Sequence, residues 1–234
     1  MGGLTQDPEF LATTFVIIDF EATTPTGYPA QPVEVAALAL RYQDADWTPV
    51  GRSTSLIRPP AFAPVTPAFT AQTGLTAEQV RLAPTPADAL GALDRRFTAD
   101  NRYLLVAQHA ATEANLIHNQ REHCPTLASI DLLDTIPLAK HLIPGLPNYK
   151  LDTLLAHFSI EHPADRHRAH ADVDVTAQVF IRLIAAANDN AQLNDLAELM
   201  KLAGRTAKCN IPIQGELFDI KPPGEPDLRG RNSW

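Results

Sequence analysis

Residues 14–18, Thr-Phe-Val-Ile-Ile, are all β-branched or aromatic and pass directly into Asp19-Phe20-Glu21. A run of that kind reads as a buried strand, and the two carboxylates mark where it reaches a polar edge. Asp19 and Glu21 are two positions apart, so on a strand their side chains leave the same face. Adjacent carboxylates repel, and each raises the other's pKa unless a cation lies between them. A metal seat is one reading of the pair. A polar strand end entering a loop is the other, and an isolated Asp-x-Glu does not separate them.

The rest of the chain supplies cover for such a strand. Residues 33–40 read as a second strand and 53–57 as a third, with a turn at residues 44–46. A connection through Pro59, Pro60, Pro64 and Pro67 is expected to resist regular structure. Residues 87–97 carry Leu90, Leu93 and Phe97 at helical spacing, residues 104–107 form a short apolar strand, and residues 113–122 a helix. A fifth strand is expected at 129–133, with helices at 135–142, 151–158 and 172–186. Three early strands followed by alternation predict an α/β architecture, a mixed five-stranded sheet flanked by helices. No internal repeat is visible. After Asn188 the character changes: residues 192–202 read as one more helix, and the end is polar and rich in Pro and Gly. The expected division is a domain at 12–187 and, at 188–234, a helical extension with a flexible tail.

Bulk properties narrow the class. With 234 residues, 45% of them hydrophobic, the chain can bury a core without cross-links. Cys124 and Cys209 make neither a disulfide framework nor a zinc site, and read as reduced thiols. The segment MGGLTQDPEF lacks a basic stretch followed by an apolar run, so no secretory leader is read there and the expected location is the cytoplasm. The net charge of −8 argues against a protein that grips duplex DNA through surface cations. An acidic cluster that holds divalent ions is the exception, because the ions then meet the phosphate.

A second constellation lies far along the chain, at His167-Arg168-Ala169-His170-Ala171-Asp172. Asp172 opens the helix expected at 172–186, and His167 sits on the loop before it. Histidine titrates near neutrality and suits proton abstraction from water. A solvated loop followed by a favourable N-terminal helix charge accounts for the same residues.

Taken together, the segments resemble the DEDDh class of 3′→5′ exonucleases in the RNase H-like superfamily. Exodeoxyribonuclease X and the proofreading subunit of bacterial DNA polymerase III are members of that class. The likeness covers about residues 15–186, with the fragments in order. The first motif is Asp19, Glu21 and Thr23, the second Val106-Ala107-Gln108-His109-Ala110-Ala111-Thr112-Glu113, and the third His167, Ala169 and Asp172 with Thr176-Ala177. Between them stand Thr73-Gly74-Leu75-Thr76, then Asp134-Thr135 with Leu138-Ala139, then Asn148-Tyr149-Lys150-Leu151. Two positions depart from the pattern. The family's second-motif aspartate is Glu113 here, and its His-Asn pair is Gln108-His109.

The resemblance implies hydrolysis of phosphodiester bonds at nucleic-acid 3′ ends, with two Mg²⁺ or Mn²⁺ ions about 3.5–4 Å apart. It assigns Asp19, Glu21, Glu113 and Asp172 to the metals, and His167 to the attacking water. Phe20, Thr23, His109 and Arg168 are the candidate substrate contacts. Phe20 also suits core packing, and His109 also suits a backbone-satisfied position. The expected substrate is single-stranded DNA, in repair or replication. RNA ends remain open, as does a catalytically weak nucleic-acid-binding protein that lost activity at Glu113. Finally, Gln214-Gly215-Glu216-Leu217-Phe218 resembles the pentapeptide that docks bacterial proteins on the sliding clamp, with Gln214, Leu217 and Phe218 as the contacts.

Overall fold

The computed structural model describes residues 3–189 and 192–211. A short helix, α1 (Pro8–Ala12), leads into β1 (Thr13–Thr23), β2 (Gln31–Gln43) and β3 (Asp46–Leu56). Three helices follow, α2 (Pro67–Thr73), α3 (Ala77–Arg81) and α4 (Pro86–Asp94). The chain then alternates: β4 (Arg102–Ala107), α5 (Ala111–Asn119), α6 (Pro125–Ala128), β5 (Leu132–Asp134) and α7 (Thr135–Leu142). It continues through α8 (Leu151–Phe158), α9 (Ala169–Asp189), α10 (Leu196–Ala203) and the two-residue β6 (Gly204–Arg205).

The sheet order is β3-β2-β1-β4-β5-β6. β1, β4 and β5 are parallel, β2 and β3 antiparallel to their neighbours, and β6 antiparallel to β5. The mixed, helix-flanked α/β sheet is as expected, with one strand more than the five read from sequence. That sixth strand, Gly204–Arg205, lies where no apolar alternation could announce it. Asp44 and Ala45, at φ 52° and 63°, make the β2–β3 turn, since left-handed central residues match the twist of paired strands.

β1 is the axis of the core. Its alternate residues feed opposite layers, as the period of a strand requires. Phe15 and Ile17 join Phe180, Val179, Leu183 and Leu138 on the side of α9 and α7. Val16, Ile18 and Phe20 join Leu105, Leu90, Ile117 and Leu127 on the other. α9 is held to the sheet by Phe180, whose ring lies 5.4 Å from Phe15 and 5.5 Å from Trp47. At the other end of the chain, the Asp7 carboxylate caps α1 and also accepts from the Leu196 N–H at 2.8 Å, tying α10 to the N-terminal segment.

The Pro-rich connection carries no regular structure as far as residue 66, as expected, but α2 starts at Pro67 and α3 follows, two helices that no apolar periodicity announces. Thr66 accepts from the Phe69 N–H, with Pro67 at the first helical position, where a missing N–H costs nothing. Thr76 and Gln79 form a reciprocal capping box of the kind that starts a helix without an apolar stripe. The fifth strand starts three residues later than expected, behind α6.

Replacing Phe180 with Ala should cost about 3–5 kcal/mol of unfolding free energy, since it opens a cavity between α9 and β1. Urea melts of the metal-free protein would measure this, and a loss under about 1 kcal/mol would show that α9 is not anchored there.

Candidate active site: carboxylates at the strand ends

Because β1, β4 and β5 run in parallel, their C-terminal ends share one edge of the sheet. Open α/β sheets bind ligands outside that edge. There β1 delivers Asp19 and Glu21, the turn after β4 delivers the first turn of α5, and α9 arrives by packing on β1 and β2.

Asp19 and Glu21 continue the series Phe15, Ile17 and so face α9. Asp172, in the first turn of α9, is buried. Glu21, His167 and Asp172 each offer a ligand atom within 4.8 Å of the others. Glu113 comes from the first turn of α5, is only 3% exposed, and lies near enough for its charge to act on Asp19 and Glu21. Glu21, His167 and Asp172 are thus brought within ligand distance of one another, while Asp19 and Glu113 lie within reach of the cluster's charge and outside that group.

Burial is the largest influence on all four carboxyls. Burial, and then repulsion from Glu113, Asp172 and Glu21, holds Asp19 well above the usual carboxylate range. Burial with repulsion from Asp172 and Glu34 lifts Glu21 to about 8. Burial also lifts Glu113 to about 8, with Asp134 and Glu21 adding to the rise. Asp172 is raised less because Arg166 and the His167 backbone act against its burial. Among the described residues, two oxygens, Glu113 Oε2 and Asp172 Oδ1, are buried without a hydrogen-bond partner. Leaving such an atom unpaired costs about 1–3 kcal/mol or more. Clustered carboxylate oxygens are the hard donors that Mg²⁺ and Mn²⁺ take, so the residues present fit a divalent cation.

Three carboxylates outside the cluster position it. Glu34 of β2 lies directly across from Glu21 and is 1% exposed. It accepts from Arg168 Nε and Nη2 at 3.0 and 2.8 Å and from the Ala169 N–H at 3.0 Å. One buried side chain therefore caps α9 and clamps the loop that presents His167, whose φ is +68°. In the sequence, Glu34 interrupts the apolar run of residues 33–40. That interruption was the available signal, since a lone acid in a buried strand needs a partner. Asp134, at the end of β5, caps α7 and accepts from the His109 and Ala110 N–H groups at 3.3 and 3.1 Å. It thereby sets the start of α5 and the position of Glu113. Asp152 pairs with Arg166, which also donates to Asp172.

The candidate substrate contacts fall in different places. Phe20 is buried in the core on the face away from α9. Thr23 is buried, donating to the Ala63 carbonyl at 3.2 Å. His109, at φ +67°, is exposed, with its Nδ1 2.9 Å from Thr112 Oγ1. Arg168 is held by Glu34. Gln214, Leu217 and Phe218 lie outside the described residues. Cys124 and Cys209 are both free.

The sequence profile of the Exonuclease family matches residues 16–180, a stretch that takes in every element from β1 to the middle of α9. The chain belongs to the Exonuclease family. It is 28% identical over 173 residues to the DNA polymerase III subunit epsilon of Aquifex aeolicus, covering 73% of this chain and 80% of that one. It is 26% identical over 170 residues to the DNA polymerase III PolC-type of Caldanaerobacter subterraneus. That match covers 73% of this chain but only 11% of the polymerase. Among solved structures, the nuclease domain of 3′hExo, a DEDDh family member bound to rAMP, superposes with a TM-score of 0.65. It is 16% identical, over 78% of this chain and 96% of that domain. Exonuclease X in complex with 5′ overhanging duplex DNA gives a TM-score of 0.54 at 24% identity, over 76% and 93%. Both likenesses show the RNase H-like fold. Among the described residues no helix is long and apolar enough to cross a membrane.

The raised carboxyls set a pH dependence. Glu21 and Glu113 rise from an ordinary 4.5 to about 8 in the fold, so between those values the folded chain binds more protons than the unfolded one. Stability must then fall as pH rises across that window. In chelator, the melting temperature should drop from pH 5 to pH 8.5 and then level, and Mg²⁺ should flatten the drop. Thermal melts measure both, and a metal-free protein that gains stability over that range would contradict the assignment.

Proposed function

We propose that the protein is a metal-dependent 3′→5′ exonuclease that hydrolyses the terminal phosphodiester bond of single-stranded DNA and releases 5′-mononucleotides. One observation carries the reading: four acids from β1, α5 and α9 lie within reach of one another's charge at the sheet edge, with two buried oxygens unpartnered among the described residues. Membership of the Exonuclease family agrees with it, and the epsilon-subunit relative favours DNA and a role in replication or repair.

Asp19, Glu21, Glu113 and Asp172 would hold two Mg²⁺ or Mn²⁺ ions. Such ions, when bound, neutralise phosphate charge and make water more acidic. His167, on its clamped loop, takes the proton from the attacking water at a ring nitrogen. The water oxygen bonds to phosphorus as the bond to the departing 3′ oxygen breaks, and that oxygen leaves as an alkoxide that takes a proton from solvent to become the new 3′-hydroxyl, while His167 returns its proton to solvent. Glu34 and Arg168 keep the imidazole presented, and Asp134 keeps Glu113 in reach.

The test is hydrolysis of a 5′-labelled oligonucleotide with Mg²⁺ or Mn²⁺, beside the matched RNA. A ladder shortening from the 3′ end, with mononucleotide released, is expected for DNA. Faster loss of RNA would move the substrate class, and binding without cleavage would assign an accessory role instead. His167→Ala should lower the rate about 10²–10⁴-fold with an unchanged melting temperature, and an unaltered rate would remove His167 from the mechanism.

The same proposal extends to a partner, the bacterial sliding clamp, reached through Gln214, Leu217 and Phe218. Replacing Leu217 and Phe218 by Ala should abolish co-elution with the clamp while leaving hydrolysis of a free oligonucleotide intact. Co-elution that survived the double replacement would discard that contact.

A further inference from the structure

Arg166 stands between the acid cluster and solvent. Its Nη1 donates to Asp172 Oδ2, and its Nε donates to Asp152 Oδ1 at 3.0 Å. The guanidinium, 20% exposed, therefore joins a buried carboxylate to one that is 58% exposed. Its charge draws down three of the four clustered acids, Asp19, Glu21 and Asp172. The next arginine along the loop, Arg168, is committed to Glu34 by two hydrogen bonds. Among the described residues, Arg166 is thus the cation whose hydrogen bond enters the cluster itself, on the acid that shares a candidate ion position with Glu21 and His167.

The geometry points to Arg166 as a displaceable counter-ion: it neutralises Asp172 in the metal-free protein, and divalent cation binding drives it off Asp172 onto Asp152 alone. This rests on the metal-dependent reading above. A guanidinium cannot shed its proton to escape a second cation, so a dication on Asp172 Oδ1 and Arg166 on Oδ2 repel one another. Movement of Arg166 relieves that repulsion, and its path is short. The Nε bond to Asp152 already exists, so only the inner contact has to break. The protein then holds its acids together before metal arrives, without a permanent competitor for the site.

Calorimetric titration of the full chain with MnCl₂ tests the exchange independently of catalysis. Arg166→Gln should bind Mn²⁺ on the order of tenfold tighter than wild type, and its metal-free form should melt at a lower temperature. Arg166→Lys keeps the charge and should stay near wild-type affinity. Asp152→Asn removes the outer partner and should weaken Mn²⁺ binding several-fold, an effect that should vanish in the Arg166→Gln background. A purely structural arginine would not produce that cancellation. Unchanged or weaker Mn²⁺ binding by Arg166→Gln, or an Asp152→Asn effect that persists without the arginine, overturns the counter-ion role and leaves the nuclease reading in place. If the wild type binds no Mn²⁺ at all, the metal-dependent reading falls first and this role falls with it.

Discussion

Four largely buried acids gathered at one edge of the sheet repel one another, and the rest of the architecture is organised around that repulsion. Burial alone pushes Asp19, Glu21 and Glu113 toward the neutral form, and their mutual charge pushes further. A chain left to minimise its own energy would scatter such groups. Here they are carried by β1, α5 and α9, whose packed cores leave them no room to separate. The stability gained by burying Phe15, Phe180 and their neighbours offsets a cluster that opposes folding, the arrangement expected where strain serves chemistry.

The positioning groups answer the same constraint. Each is a carboxylate that fixes an element rather than joining the cluster. Glu34 satisfies the N-terminus of α9 and Arg168 together, and Asp134 satisfies the turn into α5 and the start of α7. Helix N-termini favour negative charge, so every new helix entering the site supplies a natural place for one more acid. This also bears on Glu113. It projects from a helix whose start is fixed by Asp134, and it still reaches Asp19 and Glu21 with an oxygen left unpaired. The added methylene relative to aspartate leaves the carboxylate inside the cluster.

How much of this was legible depended on whether the signal was local. Asp19 and Glu21 announce themselves because strand period and an apolar run act over a few residues. The sheet with its helices follows from the same kind of pattern. His167, Asp172 and Glu113 could be named from motif order, but their convergence is a tertiary fact that no spacing encodes. Glu34 and Arg168 are 134 positions apart, and nothing near either residue predicts the pair. The helices in the Pro-rich stretch were missed for a different reason. Proline there was weighed as a breaker, whereas behind Thr66 it occupies the one helical position that welcomes it. β6 is two residues long and is held by its neighbour's backbone, so it has no pattern of its own.

The net charge of −8 now has a structural meaning. Phosphate binding by surface cations needs arginines free to face outward, yet Arg166, Arg168 and Arg52 are each paired with a carboxylate of their own chain. Paired in this way, these arginines are not free to attract a polyanion. On the proposed reading, positive charge at the site would come from ions held by the acid cluster, since Arg166 and Arg168 are paired within the chain. An acidic protein and an anionic substrate would then be compatible for one reason: the excess acid that would repel the phosphate is the same acid that would recruit the cations to meet it.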